Sequence, residues 1–191
     1  MRSAKRHHRY TYADYVGLEA SSPTKHEFLD GEIFAMAGGT EEHSALAAEV
    51  LGAFRDAARH GPCRVHTSDL RIYVEQSGLA TFPDGAVICG ALEQHSPSPN
   101  ATALNPTILL EVTSDSSEEY DTGEKLEHYQ TIPSLIDYVV VSHRERRITV
   151  HSRSKTGEWL TRVAIPGGRV AISGLNAELS VDDIYGKSSI V

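Results

Sequence analysis

The sequence LATFPDGAVIC, residues 79–89, carries the most information about the architecture of this 191-residue chain. Its apolar and β-branched content predicts a strand, with Pro83 and Asp84 as exceptions within it. A second strand is predicted at residues 64–75, RVHTSDLRIYVE, so that the two strands flank the turn residues Gln76-Ser77-Gly78. A third, TILLEVT at residues 107–113, is apolar enough to be buried on both faces.

A helix is predicted at residues 118–131, between the strand at residues 107–113 and another buried strand at residues 135–142. A strand–helix–strand unit within a strand-rich chain indicates a mixed sheet. Asp30-Gly31 lies between two apolar runs, which predicts a β-hairpin because both turn positions favour residues that tolerate positive φ. We therefore expect an α/β fold: a mixed β-sheet flanked by helices, with an added N-terminal β-hairpin.

The helix before this sheet has clear end signals. Thr40 is expected to cap a helix that runs through Ala58, since threonine accepts hydrogen bonds from the first free N–H groups of a helix. Gly61-Pro62 follows directly and ends the pattern.

Charge gives an ambiguous indication of nucleic-acid binding. The chain has 18 Lys plus Arg against 26 Asp plus Glu, a formal net charge of −8 that disfavours contact with phosphate. Positive charge is nevertheless concentrated at residues 1–10 and at residues 143–155, where Arg144, Arg146 and Arg147 lie. Either these are two basic patches that contact a polyanion, or they are a disordered start and a solvated hairpin.

Length and composition indicate one globular domain, placed at residues 10–186, after a flexible basic N-terminus at residues 1–9. Its apolar runs are shorter than the roughly 18 residues of a membrane span, and its charged start without an apolar core predicts no secretory signal. Cys63 and Cys89 form no CxxC pair, so we expect no structural zinc site and a reduced, cytoplasmic protein.

Two carboxylates lie within predicted buried strands, at Asp84 and Glu111. Each costs several kcal/mol unless it is paired, hydrogen-bonded or bound to metal. Separate ion pairs would satisfy them, but two on successive strands also suit one site for a hard divalent cation. Lys125 would complete such a site, although its spacing of four residues from Asp121 by itself favours an exposed helical ion pair.

Five motifs occur in a defined order and resemble the Uma-type putative restriction endonuclease family of the PD-(D/E)XK nuclease superfamily. The similarity extends over about residues 10–185 and implies that the α/β fold is of restriction-endonuclease-like type. The motifs are HEFLDGEIFAMAGGTEEH at residues 26–43, SDLRIYV at 68–74, FPDGAVI at 82–88, ILLEVTSDS at 108–116 and EEYDTGEKLEHY at 118–129.

This resemblance implies that Asp84, Glu111 and the backbone carbonyl of Val112 are metal ligands. In the superfamily a lysine usually stands two residues after the glutamate, where this chain has Thr113. Within the family the lysine moves to the following helix, which implies a catalytic role for Lys125.

Two auxiliary residues match other polar positions of the family pattern. Glu27 is expected to reach the same cleft, and His43 to contact phosphate or to orient a water molecule. The chain departs from the pattern at Asp115, where the family usually has proline.

The resemblance therefore implies a metal-dependent endonuclease that hydrolyses DNA phosphodiester bonds, with Mg²⁺ as cofactor and Mn²⁺ as an alternative. A homodimer is expected because cutting both strands requires two sites. No organic cofactor is expected, since phosphate-binding and dinucleotide fingerprints are absent from the sequence. The alternatives are a non-catalytic DNA-binding or protein-interaction module on the same fold, and glycoside hydrolysis by paired carboxylates, which the single tryptophan disfavours.

Overall fold

The computed structural model describes residues 9–95 and 102–190. These residues form five α-helices and thirteen β-strands. The helices are α1 Tyr12–Glu19, α2 Glu41–Ala58, α3 Glu118–Thr122, α4 Glu124–Gln130 and α5 Val181–Ile184. The strands are β1 His26–Leu29, β2 Glu32–Ala35, β3 Cys63–Thr67, β4 Arg71–Val74, β5 Leu79–Thr81, β6 Gly85–Cys89, β7 Thr102–Ala103, β8 Ile108–Val112, β9 Asp137–Val141, β10 Ile148–Arg153, β11 Trp159–Ala164, β12 Arg169–Ile172 and β13 Ala177–Ser180.

A six-stranded mixed sheet forms the centre of the fold, with strand order β11-β10-β9-β8-β6-β3. Its parallel pair is β8 and β9, which α3 and α4 connect. A five-stranded sheet of order β2-β1-β5-β4-β7 lies beside it, and β12 pairs with β13. The predicted mixed sheet flanked by helices is confirmed, and the predicted N-terminal hairpin is part of the five-stranded sheet.

Helices cover both faces of the six-stranded sheet, which is why β8 is apolar throughout. On one face Val50 and Phe54 of α2 pack in the same core cluster as Leu110. On the other, Tyr129 of α4 packs with Leu109. Neighbouring residues of β8 therefore enter different cores, as the prediction of a strand buried on both faces requires.

The two long strands predicted around Gln76-Ser77-Gly78 are each broken in the structure. Residues 64–75 divide into β3 and β4, and residues 79–89 into β5 and β6, so that β4 and β5 join one sheet while β3 and β6 pair in the other. Pro83 lies at the second break, where the missing N–H of proline disfavours a continuous ladder. Asp84 therefore lies between two strands, and the prediction that it interrupts a single strand is wrong.

The sequence predicted the N-terminal hairpin and the cap of α2 more accurately than these strands. Asp30 and Gly31 have φ of 52° and 81°, as the turn between β1 and β2 requires. Thr40 caps α2 and accepts a hydrogen bond from the backbone N–H of His43 at 3.1 Å. The helix predicted at residues 118–131 is instead divided at Gly123 into α3 and α4.

The cysteines contradict their predicted reduced state. Cys63 and Cys89 lie opposite each other on β3 and β6 and form a disulfide. The expectation of free thiols was based on their separation in sequence, which strand pairing removes. The cysteines therefore give no support to a cytoplasmic location.

Part of the predicted basic N-terminus, residues 1–8, lies outside the described residues, so the prediction made for residues 1–9 stays a prediction. Within residues 9–95 and 102–190, no helix is both long and apolar enough to cross a membrane.

Candidate active site

Asp84 directly precedes β6 and Glu111 lies on the neighbouring antiparallel strand β8, so both are at one end of the six-stranded sheet. The pairing of β6 with β8 sets Gly85 opposite Leu110, and one further step of this register sets Asp84 opposite Glu111. The backbone N–H of Val112 donates to Asp84 Oδ2 at 2.8 Å. The sheet therefore fixes both carboxylates with respect to the Val112 backbone.

Lys125 reaches this place from α4 and is almost wholly buried. Its Nζ lies 2.9 Å from Glu111 Oε1, 3.2 Å from Glu27 Oε1 and 3.2 Å from Asp121 Oδ1. The ion pair with Asp121 that the spacing suggested does form, but the expectation of an exposed helix face is wrong. The structure therefore brings together the lysine and two of the acidic residues that the family resemblance implied.

Glu27 belongs to the other sheet, so the cluster joins the two sheets. Phe28 of β1 pairs with Ala80 of β5, which sets Glu27 opposite Thr81. The Thr81 hydroxyl donates to Glu27 Oε1, the oxygen that also faces Lys125. One ammonium group thus contacts carboxylates carried by β1 and by β8.

Burial raises the pKa of the Glu111 carboxyl well above its usual range, although the nearby Lys125 ammonium opposes this shift. Asp121 and Asp84 add to the rise through their negative charge. The Tyr129 hydroxyl donates to Glu111 Oε1 at 3.0 Å and gives the buried oxygen a second partner. The Glu111 carboxylate is therefore excluded from solvent and lies near other acidic side chains.

Burial alone would lower the pKa of Lys125, but the carboxylates of Glu111, Glu27 and Asp121 outweigh it and raise this pKa well above its usual value. The amine is therefore held in its protonated form. A protonated lysine can donate hydrogen bonds and stabilise negative charge, but it cannot accept a proton.

His43 approaches the same carboxylates from the first turn of α2, on the opposite face of the sheet from α4. Its Nε2 lies 3.1 Å from Asp84 Oδ2. The hydrogen bond to Asp84 raises the pKa of His43, and burial opposes the rise. In this structure His43 holds Asp84 in place, and the roles predicted for it, at phosphate or at water, are untested.

The cluster has more acids than bases. Four carboxylates, those of Glu27, Asp84, Glu111 and Asp121, surround Lys125 and His43. A bound dication would offset this excess of negative charge.

The donor set suits a hard cation such as Mg²⁺, which binds through one or two carboxylates and keeps several waters. Asp84, Glu111 and the carbonyl of Val112 would supply oxygen ligands. No group of three or more His, Cys, Asp or Glu within residues 9–95 and 102–190 is arranged to hold a metal ion. The residues therefore fit an ion that is completed by water, but not a closed cage of side chains.

Sequence reasoning missed three members of the cluster. Asp121 was considered only as an exposed partner of Lys125, and the signal that could have found it was its place within the fifth motif. Tyr129 also belongs to the fifth motif, but its place on the apolar face of the helix has the pattern of a core residue. Thr81 occupies an ordinary strand position that nothing in the sequence distinguishes.

The basic segment at residues 143–155 is largely engaged within the protein. Arg146 Nη2 donates to the Tyr185 carbonyl at 2.6 Å, and Arg147 pairs with Glu145 at 3.0 Å. Arg153 donates to three carbonyls at the end of the α4 region. Arg146, Arg147 and Arg153 are therefore engaged within the protein, and the predicted contact of this segment with a polyanion stays a prediction.

Comparison with known proteins agrees with this architecture. The sequence signature of the Uma2 putative restriction endonuclease family matches residues 12–182. The uncharacterized protein slr1290 of Synechocystis is 31% identical over 172 residues, which cover 90% of this chain and 89% of the relative. A second Synechocystis protein, the uncharacterized sll1609, is 26% identical over 150 residues, 78% of this chain and 84% of the relative.

The fold is also shared with a solved structure. The crystal structure of a putative nuclease belonging to DUF820 from Anabaena variabilis superposes with a TM-score of 0.71, at 17% identity, over 90% of this chain and 97% of that one. At this identity the likeness is one of fold. The family signature over residues 12–182 and the 31% identical relative show that the chain belongs to the Uma2 putative restriction endonuclease family.

Proposed function

We propose that this protein is a Mg²⁺-dependent endonuclease that hydrolyses phosphodiester bonds in DNA. One observation carries the proposal: Lys125 is buried among acids with its Nζ 2.9 Å from Glu111 Oε1, and the strand register sets Asp84 opposite Glu111. Buried charges of this kind are costly for stability and are concentrated at functional sites. Membership of a family of nuclease-like proteins supports the same conclusion.

Asp84, Glu111 and the Val112 carbonyl would hold the ion. A bound Mg²⁺ would polarise a phosphoryl oxygen and lower the pKa of a bound water, which supplies the nucleophile at neutral pH. Asp84 is set up for this role because His43 and the Val112 N–H both hold its Oδ2, which fixes the orientation of the carboxylate.

Lys125 would stabilise the negative charge that develops on the phosphate. Its raised pKa in the metal-free protein disfavours the role of general base, so we assign Lys125 the role of supplying a positive charge at this point. The ammonium has three hydrogens, and three carboxylates now face it, so contact with substrate requires it to release one of them. Glu111 is the partner to be released, since it would also bind the ion, while Glu27 and Asp121 keep Nζ in place.

Two further elements belong to the proposal. The substrate class is DNA, and two copies of the chain would act together because one site cuts one strand. The competing function is a DNA-binding or interaction module without turnover. In such a module Lys125 would be buried for structural reasons alone, and Mg²⁺ would not change the function of the protein.

The test is a cleavage assay on single-stranded, duplex and branched DNA with Mg²⁺, Mn²⁺ or EDTA. We expect cleavage with either ion and none in EDTA, and a loss of at least about 100-fold in Lys125→Ala and in Asp84→Asn. Asp69→Asn, which changes an exposed aspartate paired with Lys25, is the matched control and should cleave normally. Cleavage that persists in EDTA, or equally in all three variants, would contradict the proposal.

A further inference from the structure

We propose that His143 and Arg144, oriented by Thr113 and Glu118, form an anion site for a DNA phosphodiester group next to the candidate active site. The Asp115 carboxylate fills this site in the free protein. The inference deepens the proposed function, because its ligand is the strand that the neighbouring site would cut. It assigns a role to a group of residues that the catalytic proposal leaves unused.

The group lies where two parallel strands end. Thr113 follows β8 and His143 comes two residues after β9, and the register of these strands sets Val112 opposite Val141. The backbone N–H of Thr113 donates to the Val141 carbonyl at 2.9 Å, which continues the ladder past both strand ends. Ligands of α/β proteins commonly bind at the carboxyl ends of parallel strands.

The distance to the candidate active site suits a nucleic-acid strand. Thr113 stands two residues beyond Glu111, so the two side chains point to the same face, and the rise of a strand places them about 7 Å apart. Successive phosphates of one DNA strand rise about 3.4 Å along the helix axis. Two such steps match the separation of Glu111 and Thr113, so a strand with its scissile phosphate at the candidate active site can place a nearby phosphate where Thr113 contacts His143.

Thr113 orients the His143 ring. Its buried hydroxyl oxygen accepts the backbone N–H of His143 at 3.1 Å and lies 2.8 Å from Nδ1. The hydroxyl proton is then free to bond Nδ1, which leaves the ring proton of a neutral imidazole on Nε2. Nε2 lies 3.0 Å from Asp115 Oδ1, and because a carboxylate oxygen only accepts, Nε2 must be the donor there.

Arg144 supplies the second donor. Its Nη2 lies 3.0 Å from the same Asp115 Oδ1. Its Nε–H points to His143 Nε2, 3.2 Å away, which can accept it only in the other tautomer of the ring. Glu118 Oε2 lies 3.1 Å from Nε and forms an ion pair with the guanidinium in either tautomer. Glu118 therefore anchors the guanidinium while Nη2 and Nε2 converge on one anionic oxygen, as they would on a phosphate oxygen.

The carboxylate that now accepts these bonds is easily displaced. The Asp115 side chain is 88% exposed, and ion pairs at such exposure contribute little to stability. Asp115 also has no role as the cap of α3, because the N-cap of that helix is Ser117. His143, by contrast, is mostly buried and held by Thr113, so its ring stays in place when the carboxylate leaves, and the ion pair with Glu118 retains the more exposed Arg144.

The experiment measures binding of a fluorescent 20-base-pair duplex by anisotropy in EDTA, which prevents cleavage, at several salt concentrations. Asp115→Ala should bind about 3- to 10-fold more tightly, because the competing carboxylate is gone. The double variant His143→Ala/Arg144→Ala should bind about 10-fold more weakly, with a salt dependence reduced by about one unit for each lost phosphate contact.

A matched control separates the site from overall charge. Asp56→Ala removes one exposed acid from α2 and changes the net charge as Asp115→Ala does, and Arg55→Ala is the corresponding arginine control. Equal effects of Asp56→Ala and Asp115→Ala, or wild-type binding by the double variant, would overturn the anion site while metal-dependent cleavage could still stand. Site-specific changes without any metal-dependent cleavage would support the anion site and contradict the nuclease proposal, whereas no DNA binding at all would overturn both.

Discussion

Lys125 and Arg59 each pair with an aspartate about one helical turn earlier, yet they lie in opposite surroundings. Lys125 Nζ is 3.2 Å from Asp121 Oδ1, and these two side chains are 5% and 2% exposed. Arg59 Nη2 is 2.8 Å from Asp56 Oδ1, with 62% and 57% exposure. The sequence spacings, four and three residues, both predict a pair on a helix surface, so what separates the two pairs is the tertiary structure.

The difference shows what gives a helical ion pair chemical significance. In water the Arg59 pair is screened and contributes little. Lys125 lies where β1 and β8 bring Glu27 and Glu111 towards α4, and removal from water makes each charge depend on its partners. A buried charge held by several elements is therefore the feature that points to a site.

The largest expected effect is on stability and comes from removing Lys125, the buried member of this comparison. Lys125→Ala leaves buried carboxylates without their cation and should lower the free energy of unfolding by about 3–5 kcal/mol in EDTA. Arg59→Ala should leave the urea midpoint close to that of the wild type. The measurement is urea denaturation followed by circular dichroism. Equal midpoints for the two variants would show that the buried ion pairs of Lys125 do not stabilise the fold.

The second-largest expected effect is the loss of stability on removing the disulfide, which lies outside the candidate active site. The Cys63–Cys89 disulfide spans 26 positions, and its loss should lower stability by about 3 kcal/mol. Because the bond joins β3 to β6 and contacts no carboxylate of the cluster, Cys63→Ser/Cys89→Ser should melt earlier but bind metal as the wild type does. If metal binding fell together with the melting temperature, the site would depend on the sheet edge and not on its own ion pairs.

The smallest effect concerns His43, whose partner Asp84 is only partly buried. The hydrogen bond to Asp84 raises the pKa of His43, so the pair stabilises the fold below the ordinary histidine pKa, and this contribution disappears as pH rises through the folded value. In an NMR titration in EDTA, Asp84→Asn should lower the pKa of His43. His66, whose pKa is lowered by burial and by Arg64, serves as the internal control and should not move. An unchanged His43 titration would contradict the assigned pair.

Local signals predicted the elements that local chemistry determines. The Asp30-Gly31 turn, the Thr40 cap and the apolar strand β8 were predicted because positive φ, a capping hydroxyl and burial on both faces leave direct traces in the sequence. The transfer of the chain between sheets near Asp69 and Pro83 was not predicted. It depends on which distant strand offers a partner, and residue pattern carries no such information.

The site was predicted in part, and mainly by resemblance. Helical spacing alone would have placed Lys125 on an exposed face, and only the order of the five motifs directed it to Asp84 and Glu111. Tyr129 was missed because a tyrosine on the apolar face of a helix has the pattern of a core residue. Its hydroxyl became part of the site only through the position of Glu111 on the neighbouring strand.

Calorimetric titration with Mn²⁺ tests the central claim, that Asp84 and Glu111 form one metal site, most directly. The wild type should bind one ion per site, and Asp84→Asn and Glu111→Gln should each weaken binding by at least about tenfold. Asp69→Asn, which changes an exposed acid outside the cluster, should bind as the wild type does. Unchanged Mn²⁺ affinity in both Asp84→Asn and Glu111→Gln would contradict the account, whatever the fold.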